Sequence, residues 1–524
     1  MFQAMDTFLQ LETIIMAMLL VVSLVAVVVR RLKFPYTVAL VVVGLVISLG
    51  QPLEVFLTPE LILALFVPPL VFEAAFHLSL SELRRNLVPV AVLAVPGVIL
   101  TTFIVGGVVT LGTGIALPLA LVFGSLIAAT DPISVVALFR SLGVPKRLSV
   151  LMEGESLLND GTAIVVFNIV LVAALVGHFD ASSALAEFLR VAAGGLLVGL
   201  ALGWFVSLLI ARIDYYLIET ALTVVLAFGS YLVAERLHVS GVLAVVAAGL
   251  INGNLGPRGM SPTARIVIFN FWEFVAFLAN SFVFLLIGLD VNLRGLLADW
   301  RAVLWAVGAV LVARAIVVYG LSWLVNRTTS SSISMRWQHI LNWGGLLGAI
   351  SLALVLSLPA ALGAERDLLR VMTFGVVLFN LLVQATTMRP LVRRLDIVTR
   401  SEGQVEYEMR HARLTALRAA QRHLENLHHQ GLVSTYTYSR LKPAIEGEID
   451  SRAESVRDAI RSAPELEAEE LDTTLRELLR AQRSALLGLR QDGVISDEVL
   501  ETLTAEVDTR LISGEFDLEA HDAG

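Results

Sequence analysis

Residues 151–167, LMEGESLLNDGTAIVVF, place Glu153, Glu155, Ser156, Asn159 and Asp160 inside an otherwise apolar run. On a helix, Ser156 and Asp160 are four apart and share a face, and Glu155 and Asn159 share the adjacent one. One face therefore offers a hydroxyl and a carboxylate. LIAATDPISVVALF (126–139) adds Thr130, Asp131 and Pro132, PPLVFEAAFHL (68–78) adds Glu73, and LNWGGLLGAI (341–350) adds Asn342 with Gly344, Gly345 and Gly348. Oxygen atoms around a carboxylate suit a hard monovalent cation. With no cysteine in the chain and no histidine in the 151–167 run, a transition-metal site is disfavoured. Asp160, Ser156 and Thr130 are the expected ligands of such a cation. A lone acid often does no more than pair with a neighbouring helix, and Glu153, near the end of its run, could simply be solvated.

These groups are costly where they stand. The 524-residue chain is 56% hydrophobic and only 16% charged, with a mean hydropathy of +0.79, outside the range of a soluble domain. A charge at the centre of a membrane helix costs about 2.5–3.5 kcal/mol on insertion scales, which makes intramembrane acids functional candidates by default.

Crossing a bilayer takes roughly 20 apolar residues, fewer where helices break inside protein. Thirteen stretches qualify, near 12–29, 35–50, 56–77, 87–111, 115–139, 149–176, 184–211, 216–235, 239–253, 267–289, 301–325, 337–359 and 368–390. Pro132 removes a backbone donor in the fifth, and the glycines loosen the twelfth, so both are expected to unwind. Paired broken helices in corresponding halves mark the substrate site of inverted-repeat transporters. Lys and Arg fall in alternate loops, which puts the N-terminus outside and the C-terminus in the cytoplasm of a cell membrane. The first stretch is followed by Arg30 and Arg31 rather than a small-residue cleavage site, as in an anchor. Trp272, Trp300 and Trp337 are expected at the membrane interface.

Two regions follow: a membrane domain over 1–394 and a cytoplasmic helical tail over 395–524. The tail carries 26 acids against 15 bases, while the first 394 residues carry a net charge of +3. Helical periodicity runs through EYEMRHARLTALRAAQRHLENLHHQG (406–431), SAPELEAEELDTTLRELLRAQRSALLGL (462–489) and VISDEVLETLTAEVDTRLI (494–512). A solvated or oligomerising element is the plain reading; His423, His428 and His429 offer a pH sensor as the alternative. No basic face interleaved with aromatics suggests nucleic acid.

The run AATDPISVVALFRSLGVPKRLSVLMEGESLLNDGTAIVVF, with VPPLVFEAAFHL, VSGVLAVVAAGL, FLLIGLDV and LVARAIVVY, closely resembles the monovalent cation:proton antiporter-1 family of NhaP-type and NHE-type exchangers. That resemblance implies an all-α membrane protein of about thirteen helices, a homodimer, with a six-helix core whose fifth and twelfth helices are broken and cross. It implies a cation and proton site on Asp160, Asp131, Ser156, Thr130, Glu73 and Asn159. It further implies electroneutral exchange of Na+, or alternatively K+ or Li+, for H+, with no cofactor and no enzymatic reaction. A channel or uniporter would use the same oxygen-lined site, and an intramembrane aspartyl protease would also want two aspartates.

One position departs from the family. Where WGGLRGA is usual, this chain has Leu347 in place of the arginine thought to pair with Glu155. Either Arg314, the one other arginine deep in a span, takes over that pairing, or Glu155 faces a hydrated funnel. Under the first reading Leu347→Arg is expected to stabilise the protein.

Overall fold

The computed structural model describes residues 2–32, 35–50, 62–213, 215–258, 260, 262–291, 293–329, 332–397 and 402–461, with scattered residues of the tail beyond. It divides into two compact units, 1–399 and 400–524. Among the described residues there is no β-strand.

In the first unit the membrane helices follow the apolar stretches. They are α1 (Phe2–Leu32), α2 (Tyr36–Gly50), α3 (Val67–His77, after a π turn at Ile62–Phe66), α4 (Leu87–Thr113), α5a (Leu117–Ile127), α5b (Ile133–Leu142) and α6 (Lys146–Val176). They continue as α7 (Ala181–Ile210), α8 (Tyr216–Arg236), α9 (Gly241–Leu255), α10 (Pro262–Asp290), α11 (Trp300–Thr328), α12a (Met335–Trp343), α12b (Ala349–Leu356) and α13 (Ala364–Arg394, with a π turn at Asn380–Ala385). Residues 56–61 of the third stretch lie outside the described residues. Eight of these helices are long and apolar enough to cross a bilayer, by length and composition, among the described residues. Their outward side chains include Leu197, Trp204, Phe205 and Leu304, all more than half exposed, as a surface facing hydrocarbon allows.

Packing sorts the helices into two bundles. The helices α1, α2, α3 and α7–α10 pack mainly with one another, as do α4, α5, α11, α12 and α13, with α6 joined to the second group and touching the first. One close approach in the first bundle is between α7 and α9. A Cβ at Gly199 would stand 2.1 Å from the Ala244 carbonyl oxygen, and the four-residue spacing of Gly195, Gly199 and Gly203 presents one small-residue stripe to α9. Asp180 caps the start of α7, accepting hydrogen bonds from the Ser182 and Ser183 amides.

Trp272 corrects an expectation. It is not an interfacial anchor: α10 begins at Pro262, before the apolar stretch does, so Trp272 sits well inside the helix, fully buried. There it packs on Phe72 and donates to the Thr223 hydroxyl at 3.0 Å. Hydropathy alone overlooks a helix's polar opening turns, which shifts every position counted from its end. Trp300, half exposed at the start of α11, does stand at a helix end.

The second unit contains α14 (Glu402–His429) and α15 (Thr435–Arg461), packed as a hairpin around Leu414, Leu424 and Val456. Gly431, at φ 71°, makes the turn in a conformation that side chains rarely adopt. The two later helical stretches expected in the tail lie largely outside the described residues.

The α7–α9 contact yields a stability prediction. Gly199→Leu forces the helices apart and is expected to cost about 1–3 kcal/mol, read as a lower unfolding midpoint in detergent. Gly308→Ala, where an added Cβ meets nothing within 4 Å, is expected to keep or raise the midpoint.

Candidate functional site

Two interrupted helices make the site. Pro132 disfavours helical backbone at Asp131 and begins α5b, so the peptide groups between Ala128 and Pro132 stand outside the helix ladders of α5a and α5b. Residues 344–348 leave the same gap between α12a and α12b. The two gaps cross and repair each other: the Asp131 amide donates to the Leu346 carbonyl at 2.7 Å, and the Ser351 hydroxyl to the Ala129 carbonyl at 3.4 Å. Close passage needs Gly348, where a Cβ would fall 2.3 Å from that of Asp131.

α6 then supplies the side chains that hold the unwound strand. Asn159 accepts from the Thr130 amide at 3.3 Å and donates to the Thr130 hydroxyl at 2.6 Å. Ser156 donates to the Thr130 carbonyl through a short hydrogen bond. Thr130, Ser156 and Asn159 are all buried. One turn beyond Ser156, Asp160 faces the same cavity, of about 610 Å³, that Glu73, Thr130, Asp131 and Ser156 also line. Five of the six residues expected in the site thus share one cavity. Asn159 does not line it; its amide is engaged with Thr130.

Glu73 reaches the cavity from α3 in the other bundle, and its carboxylate lies 3.1 Å from His77 Nδ1. Sequence reasoning passed over His77, although its place four residues after Glu73 on one helix was the available signal. Glu153 also lines the cavity, half buried rather than fully solvated. The result is a hydroxyl, a backbone carbonyl and carboxylates around a space of molecular size, the donor set of a hard cation.

A sequence model described as sodium/hydrogen exchanger, transmembrane, matches residues 16–394. The chain belongs to the sodium/hydrogen exchanger family. It is 42% identical over 450 residues to the Na(+)/H(+) antiporter ApNhaP of Aphanothece halophytica, covering 85% of this chain and 86% of that one. It is 38% identical over 494 residues to the Na(+)/H(+) antiporter NhaG of Bacillus atrophaeus, covering 91% and 93%. Among solved structures, the sodium proton antiporter MjNhaP1 from Methanocaldococcus jannaschii shares the fold, with a TM-score of 0.62 at 22% identity over 74% of this chain and 99% of that one.

Within this exchanger, Glu155 is buried and paired. Arg314 Nη1 on α11 donates to Glu155 Oε1 at 2.9 Å, and its Nη2 to the Leu341 carbonyl at the end of α12a at 2.6 Å. Gly345 leaves room for the guanidinium, since a Cβ there would fall 2.6 Å from Cζ. One residue thereby ties α6, α11 and the unwinding end of α12a. Leu347 is 1% exposed within the apolar core, and Glu155 is only 4% exposed, so no hydrated funnel surrounds the carboxylate.

That geometry reverses the expected effect of an arginine at 347. With Glu155 already engaged, Leu347→Arg buries a second guanidinium and is expected to lower the unfolding midpoint. Arg314→Ala leaves a buried carboxylate without its partner, at about 3–5 kcal/mol, and Leu347→Arg is expected to recover part of that loss. Additive effects of the two substitutions in a double-mutant cycle would show that they do not share Glu155.

Proposed function

We propose that the protein is a secondary active antiporter that exchanges Na+ for H+ through the Asp160 cavity, one for one and without net charge movement. The observation that carries this reading is the joining of Asp160, Ser156 and the Thr130 carbonyl at the crossing of two unwound helices, in a chain of this family.

Asp160 is the carrier. As a carboxylate it binds the cation beside the Ser156 and Thr130 oxygens, with Asp131 and Glu73 adding negative field; as a carboxylic acid it carries the proton. Cation and proton compete for one group, so they do not travel together. The bare carboxylate is held back because moving an uncompensated charge through an apolar barrier costs several kcal/mol. Neutralised by either ion, the bundle bearing Asp160 moves against the other, which converts one ion's gradient into transport of its counterpart. No nucleotide-binding loop or resident cofactor enters this cycle. Potassium/proton exchange is the second reading, because the same oxygen ligands suit K+; a channel differs in lacking saturable flux coupled to protons.

The protein is proposed to act in the cell membrane as a homodimer, with the N-terminus outside and the 395–524 tail in the cytoplasm, where α14 and α15 serve regulation or oligomerisation.

In proteoliposomes carrying an internal pH dye, Na+ addition is expected to move protons, and Asp160→Asn to abolish this while the protein still folds. Competition fixes a sign in pH: acidification protonates the carrier, so the half-saturating Na+ concentration is expected to rise as pH falls, approaching about tenfold per unit once the site is mostly protonated. Na+ affinity independent of pH between 6 and 9, or a rate that follows an imposed valinomycin/K+ potential, contradicts the one-site, one-for-one cycle.

A further inference from the structure

α10 forms one wall of the same cavity and carries a group the exchange cycle has not used. Asn280 lines the cavity and is 7% exposed, and its Oδ1 is buried without a hydrogen-bond partner among the described residues. A buried carbonyl left without a donor costs about 1–3 kcal/mol.

The neighbours of Asn280 show that its orientation is built. Tyr36, at the start of α2, shares a 2.9 Å hydrogen bond with Ser281 and stacks on Phe277 at 5.4 Å between ring centroids. Those contacts fix the rotation of α10 about its axis. Asn280, Ala276 four residues earlier and Glu273 a further turn back then line the cavity as one stripe: a carboxylate, a small side chain and an amide. The amide carbonyl sits deepest in burial, the carboxylate is exposed.

We propose that Asn280 Oδ1 is a further ligand of the transported cation, donated by the bundle that does not carry Asp160. The inference rests on the exchange reading and deepens it. Asp160, Ser156 and Thr130 belong to the bundle that moves, whereas Asn280 and Glu73 belong to the other. A cation held by both sets loses the Asn280 contact once the bundles shift, so Asn280 sets affinity on the membrane face to which this cavity opens and not on the opposite face. It also biases the competition at Asp160. A neutral carbonyl stabilises a metal cation at this position but adds nothing to a proton already bonded to the carboxylate, so Asn280 favours cation over proton on that one face.

The test uses the full-length protein in vesicles of defined orientation, with Na+ half-saturation measured separately from each face across pH 6 to 9. Asn280→Leu, of similar size but without the oxygen, is expected to raise the half-saturating Na+ concentration about tenfold on the face bearing Arg389, which also lines the cavity. On that face the onset of proton inhibition moves to higher pH; on the opposite face both quantities stay as they were. Asn280→Asp, which keeps an oxygen, is expected to retain or tighten Na+ affinity on the Arg389 face. Should Asn280→Leu fail to fold, Asn280→Ala, which only removes atoms, carries the same expectations. Unchanged affinity in the Leu or Ala variant, equal weakening on both faces, or weakening by Asn280→Asp equal to that by Asn280→Leu overturns the inference. Absence of Na+/H+ exchange in the unsubstituted protein overturns the exchange reading itself, and with it the role of Asn280; normal exchange with an indifferent Asn280 overturns only the latter.

Discussion

The structure depends on the hydrogen bond from the Asp131 amide to the Leu346 carbonyl. Helices serve in membranes because they satisfy their own peptide groups, and each interruption leaves donors and acceptors that hydrocarbon does not satisfy. Bringing two interruptions together lets each supply part of what the other lacks. Everything close to the crossing follows from that need: Asn159 and Ser156 bind the Thr130 peptide, Gly348 leaves space beside Asp131, and Arg314 takes the Leu341 carbonyl at the end of α12a.

The same repair creates the chemistry. Unwinding α5 turns the Thr130 carbonyl away from a helix ladder and toward the side chain of Ser156, so a backbone oxygen and a hydroxyl stand together beside the acids of the cavity. A continuous helix would have consumed that carbonyl in its own hydrogen bonding. The site is therefore a property of the break as much as of its acids. Residues of both bundles line the cavity, so the relative position of the bundles sets its shape.

The Glu155–Arg314 pair serves the frame of this site. It joins α6 to α11 within the bundle that carries Asp160, and the second Arg314 bond reaches the end of α12a. A buried ion pair is weak evidence for stability, since desolvation offsets much of its attraction. Its value here is geometric: α6, which lines the cavity, is held in one register with α11 and the end of α12a by a single planar, always-charged group. Leu347 faces apolar core, and Arg314 is the partner of Glu155.

Apolar length, the placement of Lys and Arg, and acids inside hydrophobic runs were legible in the chain by itself, because the bilayer penalises charge and open backbone so strongly that composition alone reveals where they occur. Pro132 and the 344–348 glycines marked the two breaks for the same local reason, and helical spacing put Ser156 and Asp160 on one face. Tertiary structure decided the rest. That Asn159 binds Thr130, that Trp272 is core, that Arg314 rather than solvent answers Glu155, and that Asn280 faces the cavity all depend on how α10, α11 and α12 rotate and cross. Rotation of an apolar helix is set by its neighbours: α10 is hydrophobic around most of its circumference, and the contacts of Tyr36 with Phe277 and Ser281, with those of Trp272 to Phe72 and Thr223, select the side it shows to the cavity.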